Sequence, residues 1–242
     1  MSHIFKNGDC LELIKELETN SIDFCYFNPP FGITDCEYDK PLNWLDLWVE
    51  IWRVLKPKGT VAIHSSQPFT FDLVASQRKH FKYCWYWKKL GIRPTGYLFS
   101  KYQPMRNIEE ICIFYKKHGV YNPQMVLKDK PVLTKTKINN DTTTYYGHYK
   151  NKFKEGKIFT HSNPLHLLEM KRRHHKFSTR TIEMCEYFIK TYSNKGDTIL
   201  DLTCSDGQTA LACHNLERFY IGFDLDPEMI ELSKSRYENH IL

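Results

Sequence analysis

The sequence has no apolar run that approaches the roughly 18 residues needed to span a bilayer, and its first residues lack the pattern of a secretory signal peptide. Its eight cysteines include no C-x-x-C pair and no ligand-like spacing, so neither a disulfide framework nor a structural zinc site is expected. No pattern in the chain requires a metal. These absences predict a protein that does not contact a membrane, is not secreted, and resides in the cytoplasm or in a nucleoid or nuclear compartment.

Positive charge is concentrated in one part of the chain. Between Lys116 and Arg180 there are 15 Lys and Arg residues against 4 Asp and Glu, whereas the remainder carries 19 against 24. Aromatic and histidine side chains are interleaved with these cations: Tyr145, Tyr146, His148, Tyr149 and Phe153. A solvated surface would explain an ordinary charge run, but this contrast is what a segment that contacts a polyanion needs. We therefore interpret residues 117–175 as an insert that binds nucleic acid.

Predicted strands and helices alternate on both sides of this insert. The strands are Ile22–Phe27, Thr60–His64, Thr198–Leu202 and Phe219–Asp224, and the helices are Asn43–Leu55, Phe69–Arg78 and Ile182–Tyr192. Phe81–Lys88 and Glu110–Lys116 predict two further strands, antiparallel to each other. Such alternation requires a mainly parallel sheet covered by helices on both faces. We predict one α/β domain made of residues 1–116 and 176–242, interrupted by residues 117–175.

The tetrapeptide Asn28-Pro29-Pro30-Phe31 directly follows the first of these strands. Two successive prolines fix φ and remove two N–H donors, so the carbonyl groups before them are free to accept hydrogen bonds from a ligand. An amide and an aromatic ring at the end of a strand would hold a planar, amino-bearing ring. The other interpretation, an ordinary turn that ends a strand, is equally compatible with these four residues alone.

The segment Thr198–Asp224 is predicted to contain a strand, a loop with Gly207, a helix and a second strand that ends in an acid. This is the layout of a nucleoside-binding βαβ unit, in which the loop backbone approaches the ligand and the acid accepts hydrogen bonds from ribose hydroxyls. The loop lacks the G-x-G-x-x-G pattern, so a ribose-bearing ligand without a diphosphate fits better than a dinucleotide. An alternative role for Asp201 and Asp224 is simple helix capping.

These stretches and their order resemble the β group of amino-methylating DNA methyltransferases. The Asn-Pro-Pro-Phe corner lies near the N-terminus, the basic insert follows, and the βαβ unit lies near the C-terminus, as in the permuted motif order of that group. Lys195–Asp201, Gly8–Glu12 and Arg106–Ile111 are similar to further family motifs. The resemblance covers nearly the whole chain outside residues 117–175. It implies a Rossmann-like methyltransferase fold, S-adenosyl-L-methionine as the cofactor, DNA as the partner, and methylation of the N6 amine of adenine.

By this resemblance, Asn28, Pro29, Pro30 and Phe31 are the catalytic residues. The Asn28 side-chain oxygen and the Pro29 carbonyl would accept the N–H groups of the exocyclic amine, whose nitrogen then attacks the sulfonium methyl in line, while Phe31 stacks on the flipped base. The residues implied in cofactor binding are Asp9, Cys10, Ser178, Thr179, Asp201, Leu202, Thr203, Ser205, Gly207 and Asp224. Residues 117–175 would recognise the target sequence, and a homodimer or a partner subunit is left open.

Departures from the family pattern leave other functions open. Thr203-Cys204-Ser205-Asp206-Gly207 stands where F-x-G-S-G is usual, and a serine forced to positive φ would cost roughly 1 to 2 kcal/mol. An inactive DNA-binding or partner homologue is therefore an alternative. An N4-cytosine methyltransferase is another, although Asn at the first motif position favours adenine. No Pro-Cys pair exists to supply the thiolate of a C5-cytosine enzyme.

Overall fold

The computed structural model describes residues 3–91, 93–133, 142–144, 147–149, 158–172 and 180–241. The chain divides into two compact units, Met1–Asn122 with His166–Leu242, and Pro123–Leu165. The first unit holds an eight-stranded sheet with its helices, and the second holds two two-stranded sheets. None of the helices within the described ranges combines the length and the apolar character that a membrane span requires.

The described residues form twelve strands and six α-helices. In chain order the strands are β1 (His3–Asn7), β2 (Ile22–Phe27), β3 (Leu55–Ser65), β4 (Phe81–Leu90), β5 (Ile108–Phe114), β6 (Val126–Leu133), β7 (Thr142–Thr144), β8 (Gly147–Tyr149), β9 (Ile158–Ser162), β10 (Leu167–Lys171), β11 (Thr198–Asp201) and β12 (Phe219–Asp224). The helices are α1 (Cys10–Leu13), α2 (Trp44–Val54), α3 (Phe69–Ser76), α4 (Ile182–Tyr192), α5 (Gln208–Asn215) and α6 (Pro227–Ile241), with 3-10 turns at Ile14–Glu16 and Tyr97–Phe99.

The sheet of the first unit has the strand order β1-β12-β11-β2-β3-β5-β4-β10. Each neighbouring pair is parallel except the two that involve β5, which runs antiparallel to both β3 and β4. The prediction of a mainly parallel α/β sheet is therefore confirmed. The predicted antiparallel pairing of the segments that form β4 and β5 is confirmed as well.

Alternate side chains of β2 face two apolar layers, one on each side of the sheet. Phe24 and Tyr26 pack in one buried cluster with residues of α4, whereas Cys25 and Phe27 pack in the other with residues of α2. All four side chains are fully buried. A strand covered on both faces is apolar throughout rather than at alternate positions, which explains the unbroken apolar run in the sequence.

Helix α2 covers one of these faces. Asn43 caps its first turn, because the side-chain oxygen accepts a hydrogen bond from the N–H of Asp46. Apolar side chains then recur at helical spacing, and Trp48 and Ile51 are buried against the strands. The start of the helix places Trp44 beside the end of β2, with its ring centroid 6.2 Å from that of Phe27.

The topology brings four strand ends to one edge of the sheet. β1, β12, β11 and β2 are parallel neighbours, and adjacent strands lie about 4.8 Å apart. Asp9, Asp224, Asp201 and Asn28 end or follow these four strands. They therefore lie along the carboxyl edge of the sheet, although they come from opposite ends of the chain.

The second unit, Pro123–Leu165, contains fewer residues than the predicted insert at residues 117–175. Its described residues form two antiparallel pairs, β6 with β9 and β7 with β8. β10 lies within the predicted 117–175 insert but extends the main sheet, where it is parallel to β4. Packing explains this difference, because the Trp87 indole N–H donates to the Met170 carbonyl at 3.1 Å and Leu168 is buried in the same cluster as Trp87. The aromatic residues Tyr145, Tyr146 and Phe153 lie outside the described residues.

Candidate functional site

The Asn28-Pro29-Pro30-Phe31 corner begins where β2 ends. Pro29 is buried and Asn28 is half-buried. The Asn28 Oδ1 atom is inaccessible to solvent and has no hydrogen-bond partner within the described part of the chain. A buried acceptor without a donor is costly, since its lost hydration is not replaced. The corner therefore contains a buried acceptor for which the described residues supply no donor.

Aromatic rings surround this corner on the α2 and α3 side. The ring of Phe31 stacks on that of Phe69, the first residue of α3, with centroids 5.3 Å apart. Trp44 lies beside Phe69, with centroids 5.7 Å apart. The Trp44 indole Nε1 is a second buried polar atom that has no hydrogen-bond partner among the described residues. Phe31, Phe69 and Trp44 thus form a wall of flat rings at the corner.

Asp39 holds the loop that follows the corner, a role that the sequence pattern did not indicate. One carboxylate oxygen accepts hydrogen bonds from the N–H groups of Phe31 at 2.7 Å and Gly32 at 2.8 Å. The other accepts from the N–H of Ile33 at 3.0 Å, and from the N–H and hydroxyl of Thr34 at 2.8 and 2.7 Å. Burial alone would raise the pKa of Asp39, but the Thr34 hydroxyl and these N–H groups hold the pKa below its ordinary value.

Asp224 ends β12, and its predicted contact with ribose hydroxyls stays a prediction. Its two carboxylate oxygens accept the backbone N–H groups of Ser205 at 2.7 Å and Asp226 at 3.0 Å. Burial raises the pKa of Asp224, with the two N–H groups acting in the opposite direction. Each oxygen of a carboxylate has a second lone pair, so both can still accept a hydroxyl hydrogen.

Asp9 and Cys10 follow β1 on the other side of β12. Asp9 is exposed and caps α1, because its Oδ1 accepts the N–H of Leu11 at 2.7 Å. Burial, and secondarily the charge of Asp9, raise the pKa of Cys10 to about 12. The thiol is therefore neutral at physiological pH, and any role of Cys10 in binding falls to its backbone. The Gly8 N–H donates to the Asp224 carbonyl at 3.0 Å and so joins the two acidic positions.

Asp201 is buried completely, and its carboxylate shapes the loop from within. It accepts the N–H of Thr203 at 3.2 Å, the hydroxyl of Thr209 at 2.6 Å and Nη2 of Arg180 at 3.3 Å. These contacts give Asp201 a positioning role, and its contact with a ligand stays a prediction. Leu202 is also buried, whereas Thr203 is half-buried with an inaccessible hydroxyl that has no partner within the described ranges.

The loop holds a serine in the left-handed region at a position where glycine is usual. Ser205 has φ +50° and Gly207, which precedes α5, has φ +80°. Ser205 therefore adopts the left-handed conformation that is costly for a residue with a Cβ atom. Three hydrogen bonds hold the strained segment: Ser205 N–H to Asp224, the Ser233 hydroxyl to the Ser205 carbonyl at 2.5 Å, and Cys204 N–H to the Phe223 carbonyl at 2.7 Å.

Arg180 is a second residue whose side-chain contacts the sequence pattern did not indicate. It is 1% exposed, lies just before α4, and contacts both Asp201 and the Thr209 hydroxyl. Its guanidinium lies 5.4 Å from the ring centroid of Tyr26 on β2. Burial opposes its charge, but Asp201 raises the pKa of Arg180 above its ordinary value. Arg180 therefore stays charged and connects α4, the 201–207 loop and β2.

His64 on β3 continues this buried polar group. Its Nε2 lies 2.8 Å from the Tyr26 hydroxyl. Burial, with the nearby charges of Arg180 and Lys89, lowers the pKa of His64 well below its ordinary value. A neutral imidazole therefore lies beside the buried cation.

The first unit thus brings most of the predicted site residues to one sheet edge. This edge carries the corner at residues 28–31, Asp9 with Cys10, the 201–207 loop and Asp224. Ser178 and Thr179 lie outside the described residues. Asp39 and Arg180 gave only weak signals in the sequence, because an acid in a glycine-containing loop and an arginine before a helix are both common.

Replacing Ser205 by glycine is expected to stabilise the loop. Gly adopts φ +50° without a Cβ clash, so Ser205→Gly should exceed Ser205→Ala in free energy of unfolding by about 1 kcal/mol. Both variants lack the hydroxyl, and only the glycine variant relieves the strain, which makes alanine the matched control. Denaturant unfolding measures the difference, and equal stability of the two variants would show that the loop bears no strain.

The contribution of Asp39 to stability is expected to depend on pH. Because its folded pKa is lowered, the stabilisation is complete above the unfolded value of roughly 3.9 and is lost as the pH falls through the folded value. The difference in unfolding free energy between the unsubstituted chain and Asp39→Asn should therefore be constant near neutral pH and shrink in acid. Asp35→Asn, an exposed position in the same loop, is the control. A difference that grows in acid would contradict the prediction.

Comparison with known proteins identifies the family. A family model described as DNA methylase, N6_N4_Mtase, matches residues 22–235. Type II methyltransferase M.BamHI from Bacillus amyloliquefaciens is 26% identical over 251 residues, which cover 96% of this chain and 56% of that protein. Type II methyltransferase M.HpaI from Haemophilus parainfluenzae is 26% identical over 255 residues, which cover 96% of this chain and 73% of that protein. The chain spans just over half the length of the first relative.

A solved structure of similar fold is the M1.HpyAVI-SAM complex. It is 21% identical to this chain, with a TM-score of 0.63, and the match covers 97% of this chain and 100% of that one. This likeness shows a Rossmann-like methyltransferase fold, in agreement with the strand order and the helices on both faces of the sheet. Because the family model matches most of the sequence, the chain belongs to the DNA methylase family of N6 and N4 enzymes.

Proposed function

We propose that the chain is an S-adenosyl-L-methionine-dependent DNA methyltransferase that methylates the N6 amine of adenine. The observation that carries this proposal is the buried, unpaired Oδ1 of Asn28 on the sheet edge that also carries the 201–207 loop and Asp224. An acceptor for an amine and a nucleoside-type site thus share one edge. The names of the type II relatives support a further proposal, a role in restriction-modification.

Asn28 and Pro29 would activate the amine. The lone pair of an exocyclic amine is delocalised into the purine ring, which makes the nitrogen a poor nucleophile. When the Asn28 Oδ1 atom and the Pro29 carbonyl each accept one N–H, the nitrogen moves towards tetrahedral geometry and its lone pair is released. The protein contributes orientation and preorganised acceptors, with no covalent enzyme intermediate.

Phe31 would hold the base in this position. A base in a duplex is out of reach, so the target nucleotide must leave the stack before its amine meets Asn28. The stacked rings of Phe31 and Phe69 offer a flat apolar surface for it. Asp39 fixes the Phe31 and Gly32 backbone through hydrogen bonds of 2.7 and 2.8 Å, so that surface is preorganised.

The residues at the other strand ends fit the cofactor. S-adenosyl-L-methionine supplies the electrophilic methyl group when it is bound. Asp224 keeps lone pairs for two ribose hydroxyls, the exposed Asp9 and the Cys10 backbone would contact the adenine edge, and the unpaired Thr203 hydroxyl belongs to the 201–207 loop. We propose the same contribution from Leu202, Ser205 and Gly207 through their backbone.

The choice of adenine rests on the first residue of the motif. Asn28 stands where enzymes that methylate cytosine N4 usually have Ser or Thr, which favours adenine. The family includes both kinds of enzyme, so N4-cytosine methylation is the second candidate. The permuted β-group motif order is part of this proposal, because the Asn28 corner precedes the 201–207 loop in the chain. Mass spectrometry of nucleosides from DNA methylated by the chain distinguishes N6-methyladenine from N4-methylcytosine.

DNA is the proposed partner of the basic segment 117–175. The part of it that forms the second unit, residues 123–165, carries eight lysines against three acids. Counterion release from DNA by these lysines would supply much of the affinity. We propose that this unit contributes target recognition.

Replacing Asn28 by alanine is expected to lower the rate of methyl transfer strongly while cofactor binding survives. Loss of one preorganised hydrogen bond at a reacting centre typically costs on the order of 10²-fold in kcat, and Asn28 lies outside the 201–207 loop. Methyl transfer to adenine-containing duplexes and calorimetry with S-adenosyl-L-methionine measure the two effects. Asn239→Ala, an exposed position on α6, is the control. Retained activity in Asn28→Ala would remove the mechanism, and no cofactor binding by the unsubstituted chain would favour an inactive homologue.

Replacing lysines of the second unit is expected to weaken DNA binding and reduce its salt dependence. The plot of the logarithm of the DNA-binding constant against the logarithm of the salt concentration has a negative slope. Its magnitude should decrease by about 0.9 for each phosphate that the variant no longer neutralises. The variant carries alanine at Lys150, Lys152, Lys154 and Lys157. The control carries alanine at Lys56 and Lys195, which lie before or at the start of strands, at the opposite edge of the sheet from Asn28. An unchanged slope in the first variant would exclude the second unit as the DNA surface.

A further inference from the structure

Residues 96–105 form an ordered excursion between β4 and β5, here named the 96–105 turn. Thr95 and Arg106 close its base with two backbone hydrogen bonds of 2.7 and 2.8 Å. Within the turn, the Phe99 N–H donates to the Gly96 carbonyl at 3.0 Å and the Tyr102 N–H donates to the Phe99 carbonyl at 2.9 Å. The backbone of the turn is therefore held in one conformation by its own hydrogen bonds.

The side chains of this turn are large, apolar and directed into solvent. Leu98 is 87% exposed, Tyr102 is 86% exposed and Tyr97 is 77% exposed. An ordered backbone that displays adjacent apolar side chains is typical of an interaction site, because folding alone gains nothing from their exposure. These side chains do not belong to either buried cluster of the first unit.

Charge indicates which partner the turn fits. Residues 91–107 contain three cations, Arg93, Lys101 and Arg106, and no Asp or Glu. A surface that combines cations with aromatic and aliphatic side chains matches a nucleic acid, whose phosphates surround a stack of apolar bases. A surface that binds a second protein chain does not need all of its charges to be positive.

The position of the turn connects it to the corner at Asn28. β4 is antiparallel to β5, which is antiparallel to β3, so β4 ends at the same sheet edge as β2 and β3. The guanidinium of Arg106 donates to the Gln67 carbonyl at 3.3 Å, just before α3. α3 begins at Phe69, whose ring stacks on Phe31. This hydrogen bond and this ring pair therefore join the base of the turn to the wall that would receive a base.

We propose that the 96–105 turn is a wedge that enters the base stack of the DNA duplex while the target base leaves it. Leu98 is the inserted side chain, Tyr97 and Tyr102 stack on the bases beside the gap, and Lys101 contacts a phosphate. Apolar side chains between base steps unstack and kink duplex DNA in other proteins. The inference rests on the proposed function, because a wedge serves an enzyme whose substrate must leave the stack.

Two DNA duplexes test the wedge. Both carry the sequence that the unsubstituted chain methylates, one with the target adenine paired and one with it opposite an abasic site. An unpaired base leaves the stack more easily, so it needs the wedge less. Leu98→Ala is expected to lower kcat/KM about tenfold or more on the paired duplex. On the abasic duplex, its kcat/KM should stay within about twofold of the value for the unsubstituted chain. A 2-aminopurine at the target position should show a smaller rise in fluorescence with Leu98→Ala on the paired duplex.

Val49→Ala is the matched control, because Val49 is also aliphatic and 65% exposed but lies on α2. It should behave as the unsubstituted chain on both duplexes. An equal decrease in kcat/KM of Leu98→Ala on the two duplexes, or no decrease on either, would overturn the wedge. The wedge would also be overturned if light scattering showed that Leu98→Ala forms a smaller oligomer than the unsubstituted chain, because the turn would then be a protein interface. Failure of the unsubstituted chain to methylate any adenine-containing duplex would instead overturn the proposed function, and the wedge with it.

Discussion

The buried ion pair between Arg180 and Asp201 holds together the parts of the first unit that form the site. Arg180 precedes α4, Asp201 ends β11, and the guanidinium lies over Tyr26 of β2. Two charges removed from water are tolerated only when they are paired and hydrogen-bonded, and the loss of one partner typically costs about 3 to 5 kcal/mol. Asp201 also accepts the Thr203 N–H and the Thr209 hydroxyl. The ion pair therefore positions the 201–207 loop and the start of α5 against β2, the strand that leads to Asn28.

The two halves of the site are held by the same means, a carboxylate that accepts several local donors. Asp201 does so beneath the 201–207 loop, and Asp39 does so for the loop after Phe31, where N–H groups of four successive residues converge on its oxygens. Loops with few apolar contacts of their own depend on such hydrogen bonds for a defined conformation. This explains how the 201–207 loop keeps Ser205 at positive φ. The strain is local, while the hydrogen bonds that oppose it extend to β12 and α6.

Much of the fold follows from local patterns. The apolar run of β2, the capped stripe of α2, and the acid-bounded segment 198–224 each predict their own secondary structure, and a parallel sheet is the arrangement that such alternation permits. The charge pattern predicts an insert at residues 117–175 but does not indicate that β10 pairs with β4. Leu168 and Met170 pack β10 onto the main sheet. This packing depends on residues distant in the chain, so the charge of residues 166–172 does not reveal it.

The sequence by itself determined the corner at Asn28 and the two acids at the ends of β11 and β12, because each depends on residue type and neighbours in the chain. Only the tertiary structure decided that Asp201 is an internal anchor, that Asp39 holds the loop after Phe31, and that Arg180 joins three elements. Those roles depend on which side chains meet across the fold. The pairing of β11 with both β2 and β12 is the physical reason, since it places the two ends of the chain at one sheet edge.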